Sequence, residues 1–264
     1  MTTLNEMVEE IRTDYLLTGD SEIRNRLTDA INASATTLTL TRTNNSISEG
    51  DRVEVGYEDV YVVSGSQSSP DIEVERGDFG STASTHDAGE LVLGNPKYSK
   101  ASILRAINRE LQALSGNSSL YQMKSITIQF NHAVAGYDFT DKDDLTPTDP
   151  ADVYSVWEVR AKMPNPLNDW PLLQHFSLTH NMPVADFPST MAIIFQEGGY
   201  PGYDMVVRYR APFAQIDLTD VTFDPATDDI ATVTGINPSA LDLLILGAGI
   251  RLCSGKEINS NFSD

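Results

Sequence analysis

Cysteine is nearly missing from this chain: Cys253 is the single one in 264 residues. A lone thiol excludes an intramolecular disulfide and any multi-cysteine zinc site. Its place in an apolar helical pattern predicts a packed thiol, not a nucleophile, and such cysteine usage fits folding in a reducing cytoplasm. Basic residues are scarce too. Eighteen Lys and Arg stand against 38 Asp and Glu, a formal net charge of −20. The cations form no block, which disfavours a broad phosphate-binding surface. An acidic surface aids solubility, and an acidic lumen would repel DNA phosphates and let DNA slide. Long apolar runs are also lacking. The most apolar segment, 240–250, is broken by Asp242, Gly247 and Gly249 and is about half the roughly 20 residues that a membrane span needs. Met1 to Glu6 hold no basic stretch followed by an apolar one, so neither a membrane span nor a secretory signal is expected.

Catalytic signatures are likewise missing. There is no Walker loop, no Gly-x-Gly-x-x-Gly after a strand, no His-Glu-x-x-His and no Gly-x-Ser-x-Gly. The histidines are His86, His132, His175 and His180. His175 and His180, with Asp169 and Asp186, offer donors that suit zinc or iron, but a third ligand at diagnostic spacing is lacking, so they read as ordinary strand and loop residues. Asp138, Asp141, Asp143 and Asp144 form an acidic cluster in which Asp141-x-Asp143-Asp144 superficially resembles a calcium loop without its central glycine and terminal glutamate. Asp217, Asp220, Asp224, Asp228 and Asp229 form a second acidic stretch. Both read as solvated loops. No feature singles out a carboxylate pair for glycoside hydrolysis. The expectation is therefore no enzyme, no metal and no cofactor.

What the chain does have is a globular composition, with 40% apolar and 21% charged residues, and a clear succession of elements. Leu4, Met7, Val8, Ile11 and Tyr15 fall on one helical face, with Arg12 off it, and Thr3 with Glu6 forms a capping-box pattern. This predicts an N-terminal helical segment over 1–33, continued by a short helix or lead-in where Ile23, Leu27 and Ile31 repeat every four positions. Alternation at 37–41, 52–55, 60–63, 72–75 and 90–93 predicts a small β-module over 34–95, a barrel or sandwich. A central helix over 96–118 starts after Ser99 as N-cap, with Ile103, Leu104, Ile107, Leu111 and Leu114 as its stripe. A second β-rich domain over 119–235 has strands near 125–130, 153–161, 175–179, 190–195 and 205–209, with prolines between them. Trp157 is expected in the core of its strand and Trp170 on a contact surface. The C-terminal part, 236–264, begins with Asn237 as N-cap and Pro238 at the first helical position. It continues as an apolar helix in which Gly247 and Gly249 imply close packing on a neighbouring helix, and ends in a polar docking tail from Lys256.

One stretch looks like a family. Arg76-Gly77-Asp78-Phe79-Gly80-Ser81-Thr82 leads through a small-residue run to His86-Asp87-Ala88-Gly89, with glycines where positive φ or close approach suits a turn and His86 as the residue that pins it. This segment resembles a structural β-module of tailed-bacteriophage virion proteins. With the N-terminal amphipathic helix, the run Asn95 to Leu114, and a β-rich half ending in Val206 to Phe213 before an apolar helix, the chain resembles siphophage head-to-tail adaptors, also called head-completion connectors. The resemblance implies an α+β protein with a small helical hub of N-terminal, central and C-terminal helices and two β-rich insertions. It also implies a homo-oligomeric ring, commonly of twelve subunits, in the virion neck. The ring would contact the portal protein above and a stopper or tail-terminator protein below, and genomic DNA would pass through it without sequence-specific binding. Arg105 and Arg109, one turn apart, are candidates for carboxylates of a neighbouring subunit. Trp170 and the tail residues Lys256, Glu257, Ile258 and Phe262 complete the candidate interface. The rival is a tail or baseplate protein whose loop aromatics Trp170, Tyr200 and Tyr203 bind host surface glycan.

Overall fold

The computed structural model describes residues 1–16, 22–43, 47–66, 68–116, 120–131, 133–134, 136–145, 147–164, 169–195 and 201–261, with side chains described up to Ser254. The protein is a mixed α+β chain with antiparallel sheets. It divides into two compact units, 1–110 with 215–233 and 237–264, and 111–214 with 234–236.

The first unit opens with helix α1 (Leu4–Glu10), started by the expected capping box: Glu6 N donates to Thr3 Oγ1 at 3.2 Å and Thr3 N to Glu6 Oε2 at 2.9 Å. Leu4, Met7, Val8 and Ile11 are buried as the periodicity requires. The helix then widens into a π-turn, Ile11–Tyr15, closed by Leu16 N donating to Ile11 O. The extra residue in that turn shifts the side chains that follow. Tyr15 is left partly exposed and Arg12, expected off the apolar face, is buried.

Six strands follow: β1 (Ile23–Arg26), β2 (Thr37–Thr39), β3 (Arg52–Val55), β4 (Glu58–Gly65), β5 (Asp71–Glu75) and β6 (Leu91–Gly94), in the order β1-β6-β3-β4-β5-β2. The two edges meet. Leu27 bridges Leu40, and Thr28 N and Thr41 N each donate across at 2.8 Å, to Thr39 O and Arg26 O. The sheet thus curls back on itself as a partly closed barrel whose two edges touch at this seam. Its interior holds Leu27, Leu38, Leu40, Ile47, Val53, Val55, Val60, Val62, Ile72, Val74 and Val92. Strand β1 replaces the helical lead-in expected there. A repeat of four is a multiple of the strand period of two as well as nearly one helical turn; the antiparallel pairing of Ile23–Arg26 with Leu91–Gly94 settles it, and Asn25 adds bonds to Arg42 O and N across the seam.

Helix α2 (Lys100–Gly116) begins where Ser99 Oγ accepts Ser102 N at 3.2 Å; the division between the units falls within it, after Glu110. Residues 215–233, expected in the second β-rich domain, belong to the first unit. Asn108 clamps Ile216 through both side-chain atoms at 2.8 and 2.9 Å, and Thr2 N donates to Asp229 Oδ1 at 2.9 Å. The short α3 (Ile230–Thr234) and a 3-10 turn at Pro238–Ala240, capped by Asn237, lead into α4 (Leu241–Asn261). Helix α4 runs through the expected tail, so Lys256, Glu257 and Ile258 are helical; Phe262 lies outside the described residues. Gly247 and Gly249 have the expected neighbours: a Cβ on Gly247 would stand 2.5 Å from Glu110 Cδ, and one on Gly249 3.4 Å from Tyr15 Cβ. Cys253, expected to be packed, is exposed.

The second unit contains β7 (Gln122–Gln129), β8 (Gly136–Asp138), β9 (Ser155–Ala161), β10 (Leu172–Leu173), β11 (Phe176–His180), β12 (Met191–Phe195) and β13 (Asp204–Ala211). They form a four-stranded sheet, β10-β9-β13-β7, and a three-stranded one, β11-β12-β8. Residues of both sheets share one core, including Ile126, Ile128, Tyr137, Phe139, Val159, Ile193, Val207 and Tyr209. Trp157 is not in it, contrary to expectation, and is 56% exposed. The pairing of β13 with β9 steps from Arg208↔Glu158 to Tyr209↔Val156, so Trp157 is the extra residue of a β-bulge. Strict alternation from Val159 and Ala161 would turn Trp157 inward; the bulge hands that place to Val156 and sends Trp157 to the outer face.

Candidate functional site

The family-like stretch is organised around a carboxylate that the motif does not contain. Glu58 opens β4 after the turn at Gly56, and its side chain is fully buried. Arg76, at the end of β5, donates to it through Nε and Nη2, both at 2.7 Å, a bidentate pair. Gly77 N and Ser84 N donate at 2.9 and 3.0 Å, and His86 Nε2 lies 2.9 Å away. Arg76 also donates to Asn32 O and Ser84 O, and His86 Nδ1 meets Glu90 Oε2 at 3.1 Å. Burial pushes the Glu58 carboxyl upward, but the bonds from His86, Arg76, Ser84 and Gly77 outweigh it and hold the group at about 2. His86 pins the turn as expected, through Glu58 and through backbone bonds to Ile31 in both directions. Gly77 takes φ +66° with Ala83 N 3.0 Å from the site of a Cβ, so the close approach requires glycine.

Two more buried charges tie the barrel to the helices. Arg12 donates to Glu54 Oε2 at 2.7 Å and to Tyr98 O at 2.8 Å, while Lys100 N caps the same glutamate at 2.9 Å. Burial raises the Glu54 carboxyl above its usual value despite these partners. Arg52 pairs with Asp59, which also accepts from Ser99 Oγ at 2.9 Å. Thus the residue that caps α2 is held by strand β4. Sequence periodicity could not single out Glu54, Glu58 or Asp59. The available signal was three acids in 54–59, where a strand and its hairpin turn must bury part of their surface.

Of the candidate interface residues, Arg105 and Arg109 lie with Arg251, Ser102 and Ser254 around a cavity of about 430 Å³. Arg105 donates to Phe79 O in the glycine turn of its own chain, and burial lowers its basicity. Arg109 is exposed, and Arg251 pairs with Glu110. A cleft of about 470 Å³ lies nearby, between the 80–84 turn, α2 and the 216–219 loop. Trp170, in the second unit, is half-buried with Lys162 Nζ 5.9 Å from its ring. Tyr203 is partly exposed; Tyr200 and His132 lie outside the described residues. The acidic loops largely satisfy themselves. Asp141 accepts Thr127 N and Asp143 N, Asp138 accepts Ser189 N, and Asp217, Asp220 and Asp224 each accept the amide two residues on. Among the described residues no group of three or more His, Cys, Asp or Glu is placed to hold a metal ion, and no helix is long and apolar enough to cross a membrane. No family model matches the chain, and no curated protein matches it.

Proposed function

We propose that the chain is a structural subunit of a tailed-phage virion, a head-to-tail adaptor that assembles as a ring beneath the portal and joins capsid to tail as a DNA conduit. The observation that carries this reading is the fate of the family-like stretch. Arg76, Gly77, Ser84 and His86 all close on Glu58, so the motif's polar groups serve to brace a barrel and not to meet a substrate. The contacts of α4 with Glu110 of α2 and with Tyr15 of the N-terminal π-turn fit a helical hub that carries the β-module as an insertion. The charge of −20 suits a lumen that lets DNA pass without gripping it. The test is a cryo-EM map of the purified virion. A ring of density between portal and tail that accepts this fold supports the reading. Density at the tail tip, or none in the particle, overturns it.

A further inference from the structure

The outer face of the four-stranded sheet in the second unit departs from the rest of this acidic chain. Arg210, on β13, has its guanidinium carbon 4.5 Å from the ring centres of both Tyr121 and Trp157. Its Nε is buried without a hydrogen-bond partner, and among the described residues no carboxylate pairs with it. Met123, in register with Arg210 on β7, is 47% exposed, and Trp157 is 56% exposed. Beside them Arg208 and Arg160 share Glu158, at 2.6 and 3.2 Å. The face therefore sets three arginines against Glu158 and Asp204, the latter already paired with Lys142 at 2.7 Å, in a chain of net charge −20. Trp, Tyr, Met and Arg together on one surface are the composition of interface centres, where Lys, Asp and Glu are depleted. A guanidinium held between two rings has already lost most of its rotamer freedom, so a carboxylate that reaches it gains a charge-assisted bond at little further entropic cost.

We infer that this face is a subunit contact that receives the acidic turn 217–222 of a second copy of this chain. That turn is Asp217-Leu218-Thr219-Asp220-Val221-Thr222. Asp217 and Asp220 each accept the amide and hydroxyl of the threonine two residues on, at 2.8 to 2.9 Å, which fixes the turn with its carboxylates at the surface. Val221 is 99% exposed. Carboxylates flanking exposed Leu218 and Val221 complement arginines flanking exposed Trp157 and Met123. The two surfaces are different patches of one chain, so the contact is heterologous: each copy offers a turn to the next, which propagates into a ring or filament and not a closed dimer. The inference rests on the adaptor reading only in naming what such self-association would serve.

The experiment is sedimentation velocity of the full chain over a concentration series, with circular dichroism to confirm that every variant is folded. The wild-type chain should associate, more weakly as salt rises. Trp157→Ala and Arg210→Glu should each weaken association tenfold or more, and so should the double change Asp217→Lys with Asp220→Lys. Mixing Trp157→Ala with the double-lysine variant should restore association and stop at a one-to-one pair, because one intact turn then meets one intact face while Arg210 of the altered face repels the lysine turn. A wild-type chain that stays monomeric throughout, or face variants that associate like wild type, would overturn the inference. The position of the chain in the particle is read independently from the virion map, so either idea can fail without the other.

Discussion

Glu58 is the buried carboxylate on which Arg76, Gly77, Ser84 and His86 close. A carboxyl held at about 2 instead of 4.5 contributes on the order of 3 kcal/mol at neutral pH. The group's folded-state value is depressed, so this stability is fully present above about pH 4.5 and is lost as pH falls toward 2. Acid titration of the barrel's unfolding free energy should show that loss in wild type. Glu58→Gln keeps the shape but leaves Arg76 and His86 facing a neutral group in a buried site. It should cost about 3–5 kcal/mol at pH 7 and flatten the acid limb of the titration. A variant that unfolds with the wild-type pH profile would refute the role. Gly77 offers a second test that does not change charge. Its φ of +66° and the 3.0 Å approach of Ala83 N should make Gly77→Ala cost about 1–2 kcal/mol, measured by urea denaturation, whereas Gly89→Ala has open space around its Cβ and bears only the φ penalty.

At the scale of elements, α4 is held by what it lacks. Gly247 lets Glu110 pass so close that an added Cβ would fall within 2.5–2.7 Å of three of its side-chain atoms, and Glu110 is also the partner of Arg251 one helical turn on. Gly247→Leu should therefore force the helices apart or break that pair, costing about 1–3 kcal/mol and lowering the thermal midpoint, although leucine is the better helix former. This packing was readable from sequence, because two glycines in an apolar helix call for a close neighbour. So were the capping box at Thr3, the Ser99 and Asn237 caps, and strands β3 to β6, each announced by a local pattern with one physical explanation. Features that depend on distant partners were not readable. A four-residue repeat at Ile23, Leu27 and Ile31 fits strand and helix alike, and the distant pairing with β6, together with the seam at Leu27 and Leu40, decides between them. The bulge at Trp157 is an insertion relative to β13, and a pairing register cannot be seen from one strand. The buried acids of β3 and β4 gain their meaning from Arg12, Arg76 and His86, residues 18 to 42 positions away in the chain.

At the scale of the whole molecule, the two units carry separate cores, one inside the six-stranded barrel and one shared by the four- and three-stranded sheets. The buried ion pairs Arg12–Glu54, Arg52–Asp59 and Arg76–Glu58 all lie in the first unit. In the second unit aromatic contacts fill the comparable place: Phe139 meets Tyr209 edge-on at 5.2 Å, and Tyr137 lies between Phe130 and Phe195. The units should therefore respond differently to the same perturbation, since destabilisation spreads within a cooperative core and less beyond it. Hydrogen exchange of Glu58→Gln should show faster exchange along β3, β4 and β5, while the long β7–β13 pairing keeps its wild-type protection. Phe139→Ala removes a fully buried ring. It should do the reverse, at a cost of about 3–5 kcal/mol, opening β7 and β13 and sparing the barrel. Loss of protection in both units from either change would mean that the chain unfolds as one cooperative body, whatever its division into two cores.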